Sequence, residues 1–79
     1  MKRMKDDELV STIAGHIRQY LAARPQSADT LEGIHQWWIN WPTAPESPSV
    51  TLAALQQLEQ AGVVMRVHVG GRDLWRAAR

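Results

Sequence analysis

The chain has 79 residues, with nine Lys and Arg against eight Asp and Glu, three His and no Cys, for a formal charge of +1. That length holds one domain, residues 1–79, with roughly 60% of the unfolded surface buried, and a hydrophobic content of 44% excludes wholesale disorder. Without cysteine there is no disulfide framework, no thiolate nucleophile and no Cys-ligated zinc.

Residues 1–6 carry Lys2, Arg3 and Lys5 with no apolar run behind them, which reads as a flexible tail and not as a signal peptide. Nowhere does the sequence approach the roughly 20 apolar residues that span a bilayer, so a cytoplasmic protein without membrane contact is the expectation. A first helix is predicted over 7–23: Leu9, Val10, Ile13, Ala14, Ile17, Tyr20 and Leu21 recur at spacings of three and four, and Pro25 stops it. A second helix is predicted from Asp29 or Thr30, either of which can cap, with Glu32 completing an approximate capping box after Asp29. Leu31, Ile34 and Trp38 give its inward face, flanked by Trp37 and Ile39, and it ends near Asn40. Residues 42–48 hold Pro42, Pro45 and Pro48 and are predicted as a loop. A third helix follows from about Ser47 to Ala61, with Pro48 in the favoured first position and Gly62 terminating it. Val63–Val69 is a β-branched strand, Gly70-Gly71 a two-residue turn, and Arg72–Ala77 the returning strand. That turn sets Val69 opposite Arg72, His68 opposite Asp73, Val67 opposite Leu74, Arg66 opposite Trp75, Met65 opposite Arg76 and Val64 opposite Ala77.

Two stretches carry a family resemblance. Ser49–Val64 resembles the recognition helix of a winged helix-turn-helix domain running into its first wing strand, and Thr30–Ile34 resembles the start of that family's second helix. The resemblance implies an α+β fold: a three-helix winged helix-turn-helix with a C-terminal β-hairpin wing. It also implies binding of duplex DNA, with the third helix in the major groove and the wing beside the backbone, as in a small bacterial-type transcriptional regulator that can work as a homodimer.

Charge is unevenly placed: residues 1–24 carry +2, residues 25–61 carry −4, and residues 62–79 carry +3. The expected phosphate contacts therefore sit on the wing, at Arg66, Arg72 and Arg76, beside His68 and Arg79. On the third helix Ser49, Gln56 and Gln57 are the candidate DNA contacts, because glutamine can reach base edges whereas Val50 and Ala53 cannot. A different arrangement stacks Arg66 on Trp75 and pairs Asp73 with His68 or Arg72. The alternative function is a protein-interaction module. It would use the uncharged face around Val50 and Ala53, or a Trp37/Trp41 patch at helical i, i+4 spacing unless the proline-rich loop covers it. His16, His35 and His68 lie on separate elements and read as surface or edge histidines, and no serine sits in a nucleophile motif. No catalytic, metal or cofactor site is expected, and the chain does not read as an enzyme.

Overall fold

The computed structural model describes residues 6–78 and is α+β: helices and a three-stranded antiparallel sheet. Helix α1 spans Asp6–Ala23, and Ile13, Ala14, Ile17 and Leu21 form its buried stripe, each at most 6% exposed. Asp6 is already helical, while residues 1–5, which hold Lys2, Arg3 and Lys5, lie outside the described residues, as does Arg79. Past Ala23 the chain turns at Pro25 and enters a strand absent from the sequence expectation, β1, Ala28–Asp29.

The second helical region departs from a regular helix. Thr30 is its N-cap, with Oγ1 accepting from the Gly33 N–H at 3.2 Å, while Asp29 Oδ1 accepts from the Thr30 N–H at 2.8 Å. Gly33 therefore occupies the third position, which rules out the expected reciprocal box with Glu32. A Cβ at Gly33 would meet the Asp29 carboxylate, so any larger residue there must push that side chain aside. Helix α2, Leu31–Gly33, continues directly as a π-helical segment, Ile34–Trp38, and Ile39 is extended. The helix thus ends before Asn40, for a packing reason. Bonding from i to i+5 widens the turn, so Trp38 and Ile39, four and five residues after Ile34, both return to the core. They are 5% and 4% exposed.

Helix α3, Pro48–Gln60, starts as expected: Ser47 caps it, accepting from the Ser49 N–H at 3.3 Å, and Pro48 takes the first turn. A serine cap of this kind is worth about 1 kcal/mol. Thr51, Ala54, Leu55 and Leu58 form its buried stripe. At the far end the Val63 N–H donates to Leu58 O at 2.9 Å and the Gly62 N–H to Glu59 O at 3.1 Å, with Gly62 at φ +77°. That double bond pattern closes the helix and needs a left-handed residue at Gly62.

Strands β2, Val64–Val69, and β3, Arg72–Ala77, pair in the expected register at all six positions. Gly70 and Gly71 take φ of +57° and +80° between them, the two positive values that such a turn demands. Strand β1 joins the other edge of β3, Ala28 opposite Arg76 and Asp29 opposite Trp75, so the sheet order is β1-β3-β2. The core lies between the helices and the sheet face that carries Val64 and Trp75, both 2% exposed.

Candidate functional site

The β2–β3 hairpin has two chemically different faces, and they divide the arginines expected to meet phosphate. Alternation puts Val64, Arg66 and His68 on the core-side face with Asp73, Trp75 and Ala77, and Met65, Val67 and Val69 on the outer face with Arg72, Leu74 and Arg76.

On the core-side face Arg66 is held from three directions. Its guanidinium carbon lies 4.7 Å from the centre of the Trp75 ring, Nη2 donates to Glu59 Oε1 at 3.3 Å, and Nη1 lies 3.7 Å from Asp73 Oδ2. His68 Nδ1 sits 2.8 Å from the other Asp73 oxygen. The His68 hydrogen bond, helped by the charges of His68 and Arg66, holds the Asp73 carboxyl below its ordinary range. Asp73 pairs with His68 and Arg66, and not with Arg72. Arg66 is thereby fastened across β3 onto α3, and its expected role as a phosphate contact would require breaking those bonds.

On the outer face Arg72 and Arg76 make no ion pair with any described residue. Arg72 is exposed beside the turn, and Arg76 is half-buried opposite Met65 and Ala28. Arg72 also borders a groove of about 740 Å³ between the hairpin, the start of α2 and Leu52 of α3. Glu32 and Asp73 share that groove, so its charge is mixed.

Along α3, Ser49, Gln56 and Gln57 are exposed while Val50 and Ala53 are half-buried. The Ser49 hydroxyl is 2.9 Å from that of Ser47 and belongs to the helix cap, which leaves the two glutamines as the free polar groups of that trio.

The tryptophans separate. Trp38 stacks on Tyr20, ring centres 4.5 Å apart, and Arg24 covers the other partner at 4.6 Å from the Tyr20 ring. Trp37 is 72% exposed. Trp41 lies beyond the helix end and folds back, its Nε1–H donating to His35 O at 2.8 Å and its ring 5.1 Å from the imidazole. The expected Trp37–Trp41 helical pair therefore does not form, because extended Ile39 breaks the spacing between them. Trp41 instead lines a groove of about 810 Å³ with Leu9, Ile13 and His16 of α1 and with Pro42 and Thr43 of the loop. His35 is not an isolated edge histidine: its Nδ1 meets the hydroxyl of the fully buried Thr51 at 2.6 Å, satisfying the polar group inside the core. Glu59 and Thr51 are thus two partners that sequence reasoning did not single out for Arg66 and His35.

Among the described residues no three His, Asp or Glu side chains are grouped as metal ligands, and no helix is long and apolar enough to cross a membrane. Comparison of the chain with family models, with curated proteins and with solved structures gave no match.

Proposed function

We propose that the chain is a winged-helix domain that binds duplex DNA, as a small cytoplasmic transcriptional regulator, with the β2–β3 hairpin as its wing. The order of elements supports the layout: two helical regions and α3 precede the hairpin, and β1 closes the sheet in the order β1-β3-β2. The observation that carries the function is the division of the arginines. Arg66 is engaged by Glu59, Asp73 and Trp75, whereas Arg72 and Arg76 stand on the outer hairpin face without an ion pair to any described residue. Two such arginines on a hairpin suit phosphate contacts, which supply affinity without reading sequence. Gln56 and Gln57 on α3 are the groups of the third helix able to reach a base edge. The −4 charge of residues 25–61 works against close approach of α3, so the wing leads the contact.

The test is an NMR titration with random duplex DNA at two salt concentrations. Amide shifts in Arg72–Arg76 that fade at the higher salt are the expected result. Absence of any shift at low salt and micromolar protein overturns it.

A second reading, a protein-interaction module, is favoured by one specific feature: Trp37 at 72% exposure, a large apolar ring with no cover. The uncharged side of α3 around half-buried Val50 and Ala53 is the other surface this reading could use. A partner whose binding is lost in Trp37→Ala and in Ala53→Arg would establish this reading, and insensitivity to both would end it.

A further inference from the structure

The groove between α1 and the proline-rich segment measures about 810 Å³, inside the roughly 300–1,000 Å³ range of small-ligand sites. One wall is α1, which contributes an apolar column, Leu9 and Ile13, and a polar one, Thr12 and His16, each pair one helical turn apart. The other wall is residues 40–46, with the Trp41 ring and Pro42 as its apolar part. That wall is tied back to the second helical region, since the Trp41 Nε1–H donates to His35 O at 2.8 Å.

Some polar groups of the groove are spent on the fold, and others are not. The Thr12 hydroxyl donates to Glu8 O at 3.0 Å, and the indole N–H is engaged as above. Asn40, Thr43 and Glu46 are exposed, and their side chains make no hydrogen bond or ion pair with any described residue. His16 makes none either, and its Nδ1 is the one buried side-chain polar atom among the described residues without a partner. Folded chains leave few such atoms, so the chain's own bonding is incomplete along this groove.

The unspent groups on the 40–46 wall are of one kind: the Asn40 amide oxygen, the Thr43 hydroxyl and the Glu46 carboxylate all accept hydrogen bonds. Glu46 is also the one carboxylate among the described residues lining the groove, and no Lys or Arg stands there to neutralise it. Residues 25–61 contain no Lys or Arg at all.

We propose that this groove binds a small arylalkylamine in its ammonium form. The apolar body of the ligand lies on Leu9, Ile13 and the Trp41 ring. Its ammonium group carries three donors, which answer the three acceptors of the opposite wall, and its charge answers Glu46. A carboxylate of the same size would meet Glu46 as a like charge and find no cation to hold it. An uncharged ligand of the same shape would gain the apolar contacts alone. The site goes beyond the proposed DNA contacts and does not depend on them, because Gln56, Gln57, Arg72 and Arg76 are not among its lining residues.

Three probes of one shape separate these terms: phenethylamine, phenethyl alcohol and phenylacetate, each titrated into the wild-type chain at neutral pH and followed by amide-correlation NMR. The amine should shift the amides of Thr12, His16 and Thr43 and the Trp41 indole N–H, with a dissociation constant of about 1 mM, the scale for so small a ligand. The alcohol should bind at the same residues about fivefold more weakly, the factor that one exposed ion pair supplies. Phenylacetate should shift none of them. Glu46→Gln, at an exposed loop position, should bring the amine down to the affinity of the alcohol. No shift at about 20 mM amine, well above that constant, would overturn the proposal. So would phenylacetate binding as tightly as the amine, shifts that fall on Trp37 and not on the groove, or a Glu46→Gln chain that keeps the preference for the amine.

Discussion

The two faces of the β2–β3 hairpin carry different chemistry. On the core-side face every charged group has a partner: Arg66 with Glu59, Asp73 and Trp75, and His68 with Asp73. On the outer face Arg72 and Arg76 have none among the described residues, and the apolar side chains Met65 and Val69 are uncovered. Strand alternation is enough to produce this. One residue of displacement sends a side chain either to the core or to solvent, so neighbouring arginines of the same strand pair inherit opposite tasks. The lesson is that the +3 charge of residues 62–79 overstates what is available to a polyanion, because Arg66 is already spent on the fold.

The largest expected effect comes from removing the ring on which the core-side face is built. Trp75 is 2% exposed, and it supports both the core and the Arg66 guanidinium. Trp75→Ala should cost about 3–5 kcal/mol, a loss on the scale of the whole stability of so small a domain. Thermal or urea unfolding monitored by circular dichroism measures it. A cost below about 1 kcal/mol would mean that the two faces are not as different as their packing indicates.

The next effect belongs to the outer face. Arg72→Ala should leave the unfolding midpoint nearly unchanged, since surface substitutions of this kind stay within about 0.5 kcal/mol, and Arg76→Ala, at a half-buried position, should cost no more than about 1 kcal/mol. On the proposed function they should weaken duplex binding for all sequences alike and lower the salt slope by about one for each arginine removed. Fluorescence anisotropy over a salt series reads both quantities. An unchanged slope would separate these arginines from DNA altogether.

How far these faces were readable from the sequence depends on how local their causes are. The hairpin register followed from Gly70-Gly71 alone, and the ends of α3 followed from Ser47-Pro48 and Gly62, because each is decided by the backbone preferences of one or two residues. Arg66 opposite Trp75 came with the register. Its anchor on Glu59 did not, since that bond depends on how α3 lies against β2. Strand β1 was invisible for a similar reason: two residues carry no periodicity, and only the free edge of β3 makes a strand of them. The π-helical segment was missed because a 3.6-residue period sends Ile39 sideways, while packing demands that Trp38 and Ile39 both face inward. Trp41 followed from that error. Once the helix ends at Trp38, its indole is free to turn back to the His35 carbonyl.

A smaller effect tests whether Arg66 belongs wholly to the fold. Its side chain is 41% exposed, which limits the ion pair with Glu59 to a fraction of what a buried pair would give. Counting the contact with Trp75, Arg66→Ala should destabilise the chain by about 0.5–1 kcal/mol. The salt slope of DNA binding should not change. A slope that falls by about one would show that the guanidinium leaves Glu59 for a phosphate, and the distinction between the faces would then be conditional on the ligand.

The smallest effect is a pH dependence carried by Asp73. Its carboxyl is held below the ordinary range by the His68 hydrogen bond first, and by the charges of His68 and Arg66 after it. A carboxyl whose folded pKa lies below its unfolded one contributes stability that is present above the unfolded value and lost as the pH falls through the folded value. The wild-type chain should therefore lose a small increment of stability on acidification below the ordinary carboxylate range, and Asp73→Asn should lack that increment and be flatter there. Because the group is exposed, the difference in slope between the two acid limbs is expected to be small. Paired acid titrations of the two chains at constant ionic strength, followed by near-ultraviolet circular dichroism at Trp75, resolve it. Coincident acid limbs would show that the His68–Asp73 contact at 2.8 Å contributes nothing to the core-side face, leaving Trp75 and Glu59 as the partners that hold Arg66.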